Sequence, residues 1–117
     1  MNGLLPVVVQ NARTGEVLML GYMNQEAHDK TTETGLLHLW SRARRSLWLK
    51  GEISGHLHEV VGLVLDCDGD ALLVEVLPKG PTCHTGERTC FHNVVKGSGF
   101  EVSGLRELED TIRDRLT

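Results

Sequence analysis

Residues 60–77 read Val60-Val61-Gly62-Leu63-Val64-Leu65-Asp66-Cys67-Asp68-Gly69-Asp70-Ala71-Leu72-Leu73-Val74-Glu75-Val76-Leu77. Two runs of apolar, often branched residues flank an Asp-Gly pair, the dipeptide that readily takes the positive φ angles of a tight hairpin turn. The stretch predicts a strand over Val60 to Cys67, a turn at Asp68-Gly69 and a returning strand over Asp70 to Leu77. The same turn concentrates chemistry, because Asp66, Asp68 and Asp70 alternate around Cys67. Alternate residues of an extended backbone share a side, so the three carboxylates are expected to face one way and the Cys67 thiol the other.

Toward the N terminus, apolar alternation over Leu4 to Gln10, Val17 to Tyr22, Leu36 to Ser41 and Leu47 to Lys50 predicts further short strands. Turn signals separate them at Thr14-Gly15 and at Arg42 to Ser46, and Trp40 and Trp48 read as core residues at strand positions. Asn24 suits the N-cap of a helix over Gln25 to Thr34, with Gly35 where a left-handed C-terminal cap falls. The expected fold is α+β, a mainly antiparallel sheet with short helices. Toward the C terminus, Pro78 to Gly99 is rich in Gly, Pro, Thr and Cys and reads as an irregular loop that carries chemistry. Leu105, Leu108, Ile112 and Leu116 then recur at the spacing of an amphipathic helix. The chain thus divides into a domain over residues 1–100 and a helical extension over residues 101–117.

Its 117 residues, 40% hydrophobic, suit one compact domain. With 12 Lys plus Arg against 16 Asp plus Glu, there is no basic footprint for nucleic acid. Every apolar run is far shorter than the ~20 residues that cross a bilayer. Leu4 to Val9 lacks the preceding positive region and the cleavage site of a signal peptide, so a cytoplasmic protein is expected. Three cysteines cannot all pair within one chain, which favours free, metal-bound or catalytic thiols.

Cys83 and Cys90 stand seven residues apart in a Gly-, Pro- and Thr-rich segment, and a loop of that length can fold both sulfurs onto one ion. Cys67 offers a third thiolate. Three protein ligands with one open position is the arrangement of catalytic zinc, and thiolates suit soft, tetrahedral zinc better than magnesium or calcium. Spacing alone leaves two alternatives open: three ordinary buried cysteines, or a structural site closed by His84 or His92. Thiol redox chemistry is weaker, because no Cys-x-x-Cys pair exists. The aspartates repel one another unless a hard cation such as magnesium neutralises them, although a solvated turn also tolerates them. An EF-hand is excluded, since counting from Asp66 puts Ala71 at position six and Leu77 at position twelve. Arg42, Arg44, Arg45 and Lys50 suit phosphate oxygens, or a solvated face. Among His28, His38, His56, His58, His84 and His92, His84 is the best candidate for proton transfer, because it follows a proposed ligand.

Gly15-Glu16-Val17-Leu18-Met19-Leu20-Gly21-Tyr22-Met23-Asn24, Trp40-Ser41-Arg42, Leu47-Trp48, Lys50-Gly51-Glu52, Ser54-Gly55, Asp66-Cys67-Asp68-Gly69-Asp70 and Gly80-Pro81-Thr82-Cys83-His84-Thr85-Gly86 through Cys90-Phe91 together resemble the phosphoribosyl-AMP cyclohydrolases. The segments occur in the family's order across residues 3 to 92. The resemblance implies an intertwined homodimer with zinc held by Cys67 of one subunit and Cys83 and Cys90 of the other, and magnesium held by Asp66, Asp68 and Asp70. It implies opening of the adenine ring of phosphoribosyl-AMP at the N1 to C6 bond, with His84 as an auxiliary base. Arg42, Lys50, Glu52 and Ser54 match the family and become substrate-binding candidates. Ile53 and His56 depart from it, where Thr and Asn are common, and carry no such expectation. Residues Leu105 to Leu116 resemble the opening helix of the pyrophosphohydrolase domain that follows in bifunctional relatives; the rest of that domain is absent, so its activity is not expected.

Overall fold

The computed structural model describes residues 3–95 and 110–115. Within residues 3–95, six strands and one helix follow in the order β1 (Leu5–Asn11), β2 (Val17–Met23), α1 (Gln25–Thr34), β3 (His38–Ser41), β4 (Ser46–Leu49), β5 (His58–Leu65) and β6 (Leu72–Pro78). β2, β1, β6 and β5 form one sheet in that order, and β3 and β4 form a separate hairpin. The architecture is α+β, as expected, and the sheet is mostly antiparallel. Its central pair departs from that pattern: β1 runs parallel to β6, Val7 opposite Leu72 through Asn11 opposite Val76. Parallel neighbours need a long crossover, and the chain makes it through β2, α1, the β3–β4 hairpin and β5.

Side-chain alternation builds the core. Val7 and Val9 of β1 and Leu72, Val74 and Val76 of β6 turn to one face, where they meet Leu18, Met23, Ala27, Leu37 and Leu39. α1 begins where Asn24 Oδ1 accepts the Ala27 N–H at 2.9 Å and ends at Gly35, whose φ of 74° lets its N–H reach the Thr31 carbonyl. It buries Ala27 and Thr31, four residues apart. Thr31 Oγ1 accepts the His38 N–H at 3.0 Å and so ties the helix to β3. Trp48 packs on this core as expected, whereas Trp40 stays half-buried outside it.

The β5–β6 hairpin exists, but its turn is longer than the two residues expected. β5 stops at Leu65 and β6 starts at Leu72. Asp66 is the cause: its Oδ1 accepts the N–H groups of Asp70 at 2.9 Å and Ala71 at 3.2 Å. The Asp66 N–H still reaches the Ala71 carbonyl at 3.0 Å, while the short carboxylate takes the Ala71 N–H in place of the return ladder bond. Gly69, with φ of 73°, is the turn's left-handed residue. After β6, residues 79–95 form no regular element, as their composition predicts. Residues 110–115 are helical. Leu105, Leu108 and Leu116 of the expected amphipathic stripe, and residues 96–99 of the expected loop, lie outside the described residues.

Candidate active site

The thiol loop is built by its own backbone. Thr82 donates to the Arg88 carbonyl at 3.2 Å, Cys83 to that of Glu87 at 3.1 Å, and Gly86 back to that of Cys83 at 3.0 Å. Gly86 takes φ of 92°, open to glycine, so the loop can double back within five residues. Its outgoing leg is fastened to the start of β2. Thr89 Oγ1 donates to the Val17 carbonyl at 2.8 Å, the Cys90 N–H to that of Leu18 at 2.8 Å, and Arg88 forks onto Glu16 at 2.7 and 2.9 Å. Its incoming leg is held by Thr82, whose hydroxyl lies 2.8 Å from His58 Nε2.

These fastenings bring Cys83 and Cys90 together. The Cys83 thiol accepts the Thr85 hydroxyl at 3.1 Å and sits 3.7 Å from His92 Nε2. Hydrogen bonds from the Thr85 side chain and amide, then from His92, lower its pKa to about 6. Burial first, and then the neighbouring Cys83 charge, push Cys90 up. Burial also lowers the Lys50 ammonium, and the two thiols oppose that shift. An ionisable thiol pair beside a cation fits a soft metal better than a hard one. Cys67 does not join them. It lies exposed on the acidic turn, and among the described residues the aspartates are the one set of three Cys, His, Asp or Glu donors within 4.8 Å of one another. His92 therefore does not complete such a set with Cys83 and Cys90.

Asp66, Asp68 and Asp70 do converge, although not by strand alternation. The turn brings their oxygens within 4.8 Å of one another and leaves all three exposed. Asp66 and Asp70 share a hydrogen bond that holds Asp66 low and Asp70 high, as expected of carboxyls too close to ionise independently. A hard cation among their oxygens would relieve that repulsion.

A cavity of about 340 Å³ is lined by Arg44, Trp48, Lys50, Glu52, Ser54, His56, Thr82 and His84, among others. Its rim depends on Gly51, which takes φ of 86° and lies so close to the His56 carbonyl that a Cβ would collide with it. Gly80 also packs closely on the His56 ring. Of the substrate candidates, Lys50, Glu52 and Ser54 reach this cavity with His84 and Arg44. Arg42 does not line it; its guanidinium lies over the Tyr22 ring, 3.9 Å from the centroid. Ile53 and His56, which carried no expectation, also line the cavity. The His58–Thr82 pair was not foreseen either, because 24 residues separate the two and no local pattern pairs them. A separate cavity of about 370 Å³, between the start of β1 and α1, holds none of the cysteines or clustered aspartates.

An α+β domain that presents a paired thiol loop, a carboxylate triad and a cavity edged by Arg44, Lys50 and His84 has the donor sets of a metal-dependent hydrolase. The chain belongs to the phosphoribosyl-AMP cyclohydrolase family, which matches residues 19–92. It is 55% identical over 118 residues to the histidine biosynthesis bifunctional protein HisIE of Thermus thermophilus, covering 97% of this chain and 54% of that one. It is 51% identical over 107 residues to the phosphoribosyl-AMP cyclohydrolase of Alkalilimnicola ehrlichii, covering 92% of this chain and 75% of that one. The cyclohydrolase of Methanococcoides burtonii is also 51% identical, over 96 residues, 82% of this chain and 79% of its own. The chain therefore spans about half the length of the bifunctional relatives and at least three quarters of these two single-function ones. Among the described residues, no helix is long and apolar enough to cross a membrane.

Proposed function

We propose that the protein hydrolyses phosphoribosyl-AMP, adding water at purine C6 and breaking the N1–C6 bond to give the formimino-carboxamide ribonucleotide, the third step of histidine biosynthesis. It acts in the cytoplasm as a homodimer, with zinc held by Cys67 of one subunit and Cys83 and Cys90 of the other, and with magnesium held by Asp66, Asp68 and Asp70. One observation carries the shared site: Cys83 and Cys90 are paired, while Cys67 stands on a separate exposed turn and, among the described residues, no third donor completes their set. Bound zinc would supply the Lewis acidity that brings the pKa of its water down to about 7.

The remaining work falls to the chain's own groups. Thr85 and His92 keep Cys83 in its thiolate form, ready to bind. His84, on the cavity wall one residue from a thiol ligand, takes the proton released as water attacks. Arg44 and Lys50 set positive charge where a ribonucleotide phosphate can lie, and Glu52 and Ser54 offer hydrogen bonds beside them. Trp48 gives the cavity a ring face on which a purine can stack.

Loss of the adenine chromophore from phosphoribosyl-AMP, followed with magnesium present, tests this reading. Zinc-loaded protein is expected to turn the substrate over, a chelator to stop it and added zinc to restore it. His84→Ala should keep its zinc and lose about 10²- to 10⁴-fold in kcat. No turnover by fully zinc-loaded dimer would defeat the proposal. The His92 contact with Cys83 favours a second reading, a closed structural zinc. X-ray absorption decides between them: four protein ligands mean structure, and three with an open position mean catalysis.

A further inference from the structure

His58 opens β5 with no exposed surface, and Thr82 is 1% exposed. They are 24 residues apart and joined by one contact, Nε2 to Oγ1 at 2.8 Å. The other ring nitrogen, Nδ1, lies 2.9 Å from the His56 carbonyl. Burial holds the ring's pKa down and keeps it neutral; a carbonyl only accepts, so Nδ1 carries the one proton and Nε2 accepts from the Thr82 hydroxyl. The ring is held at both nitrogens, and each buried polar atom has a partner. The last backbone link to the departing chain is Lys79 N–H to the carbonyl of Leu57, the residue before β5, at 2.8 Å. Beyond it, among the described hydrogen bonds, His58–Thr82 is what ties this incoming leg to the sheet, and the next residue is Cys83. The outgoing leg has its own anchors at Glu16, Val17 and Leu18, and the Thr82 and Cys83 N–H groups clip the incoming leg to it at the Arg88 and Glu87 carbonyls.

We propose that His58 and Thr82 are positioning residues, a buried hydrogen-bonded pair that sets the direction of the Cys83 thiol and so tightens the thiol loop's hold on its metal. The inference rests on the zinc reading above. Without the hydroxyl, the 80–83 leg keeps its backbone clips to Glu87 and Arg88 and loses its direct tether to the sheet, so Cys83 samples directions that do not suit a tetrahedral site. Groups that orient metal ligands from behind are worth about 10- to 100-fold in metal affinity.

The test is zinc competition against a chromophoric chelator with the full chain, together with the absorption bands of the cobalt-substituted protein. Thr82→Val, close to threonine in shape but without the donor, is expected to bind zinc about 10- to 100-fold more weakly and to shift the cobalt bands. Thr82→Ser, which keeps the donor, should match the parent in both. Should Thr82→Val not fold, Thr82→Ala adds no bulk and takes its place. A merely structural pair would lower the melting temperature of the metal-free protein and leave the folded protein's zinc affinity and cobalt bands unchanged. That result overturns the inference. Cys83→Ser separates the two levels: if it binds zinc like the parent, the zinc reading itself fails. If it loses zinc while Thr82→Val keeps it with unchanged bands, only the positioning role falls.

Discussion

Cys83 and Cys90 occupy one loop, yet their surroundings drive their acidities apart. Cys83 receives hydrogen bonds from Thr85 and His92 that favour the thiolate, while burial and the Cys83 charge favour the neutral thiol at Cys90. Metal-free protein should therefore show one thiolate step near pH 6 in absorbance at 240 nm. Cys83→Ser should remove it; a first step near pH 9 in the parent would contradict the geometry. The consequence for stability has a definite sign. A thiol whose folded pKa is depressed contributes stability that is complete above its unfolded value of 9.0 and is lost as pH falls through about 6. The metal-free parent should thus gain more stability between pH 6 and 9 than Cys83→Ser does. The candidate ligands were legible because Cys, Asp and His are few and their types declare their chemistry. The acidity of Cys83 was not legible, because it depends on where Thr85 and His92 come to rest.

At the scale of elements, Lys50-Gly51-Glu52 shows how a motif becomes a wall. β4 ends at Leu49, the Glu52 N–H closes on the Leu49 carbonyl at 3.1 Å, and Gly55 closes on Gly51 at 2.8 Å. Gly51→Ala should therefore cost about 1–3 kcal/mol of stability, the range for a strained left-handed position, with further loss from the collision with the His56 carbonyl. Urea unfolding measures it, and an unchanged midpoint would mean the loop can close in another way. Helix α1 was fully legible, from Asn24 to Gly35, because its caps and its buried pair are local features. The acidic turn was only partly so. Asp-Gly marked the reversal, but the reach of the Asp66 side chain to Asp70 and Ala71 stretched it to six residues.

The whole molecule leaves β5 on an outer edge with Val61 52% and Leu65 56% exposed, beside exposed Leu63 and Val64. An apolar edge strand of this kind is normally covered, and a second copy of the chain is the cover that also supplies Cys67 to the thiol loop under the proposed function. Complementation tests that assembly. Cys67→Ser and Cys83→Ser should each be inactive alone, and mixing them with subunit exchange should restore roughly a quarter of parental activity. Half of the randomly paired dimers are mixed, and each mixed dimer has one intact site of two. Background activity after demonstrated exchange would place all three cysteines on one subunit.

What the sequence determined by itself was local: the order of strands and helix, the Asp-Gly reversal, the irregular Cys83 to Cys90 loop and the motifs of the family. Each follows from neighbours within a few residues, where periodicity, caps and turn chemistry act directly. Tertiary structure alone decided the parallel pairing of β1 with β6. It also decided the removal of Arg42 to the Tyr22 ring, the Glu16–Arg88 fork across 72 residues and the buried His58–Thr82 bond across 24. Those contacts depend on which surfaces the chain brings together when it buries Val7, Val9, Val74 and Val76, and no local pattern encodes which distant polar group will be waiting there.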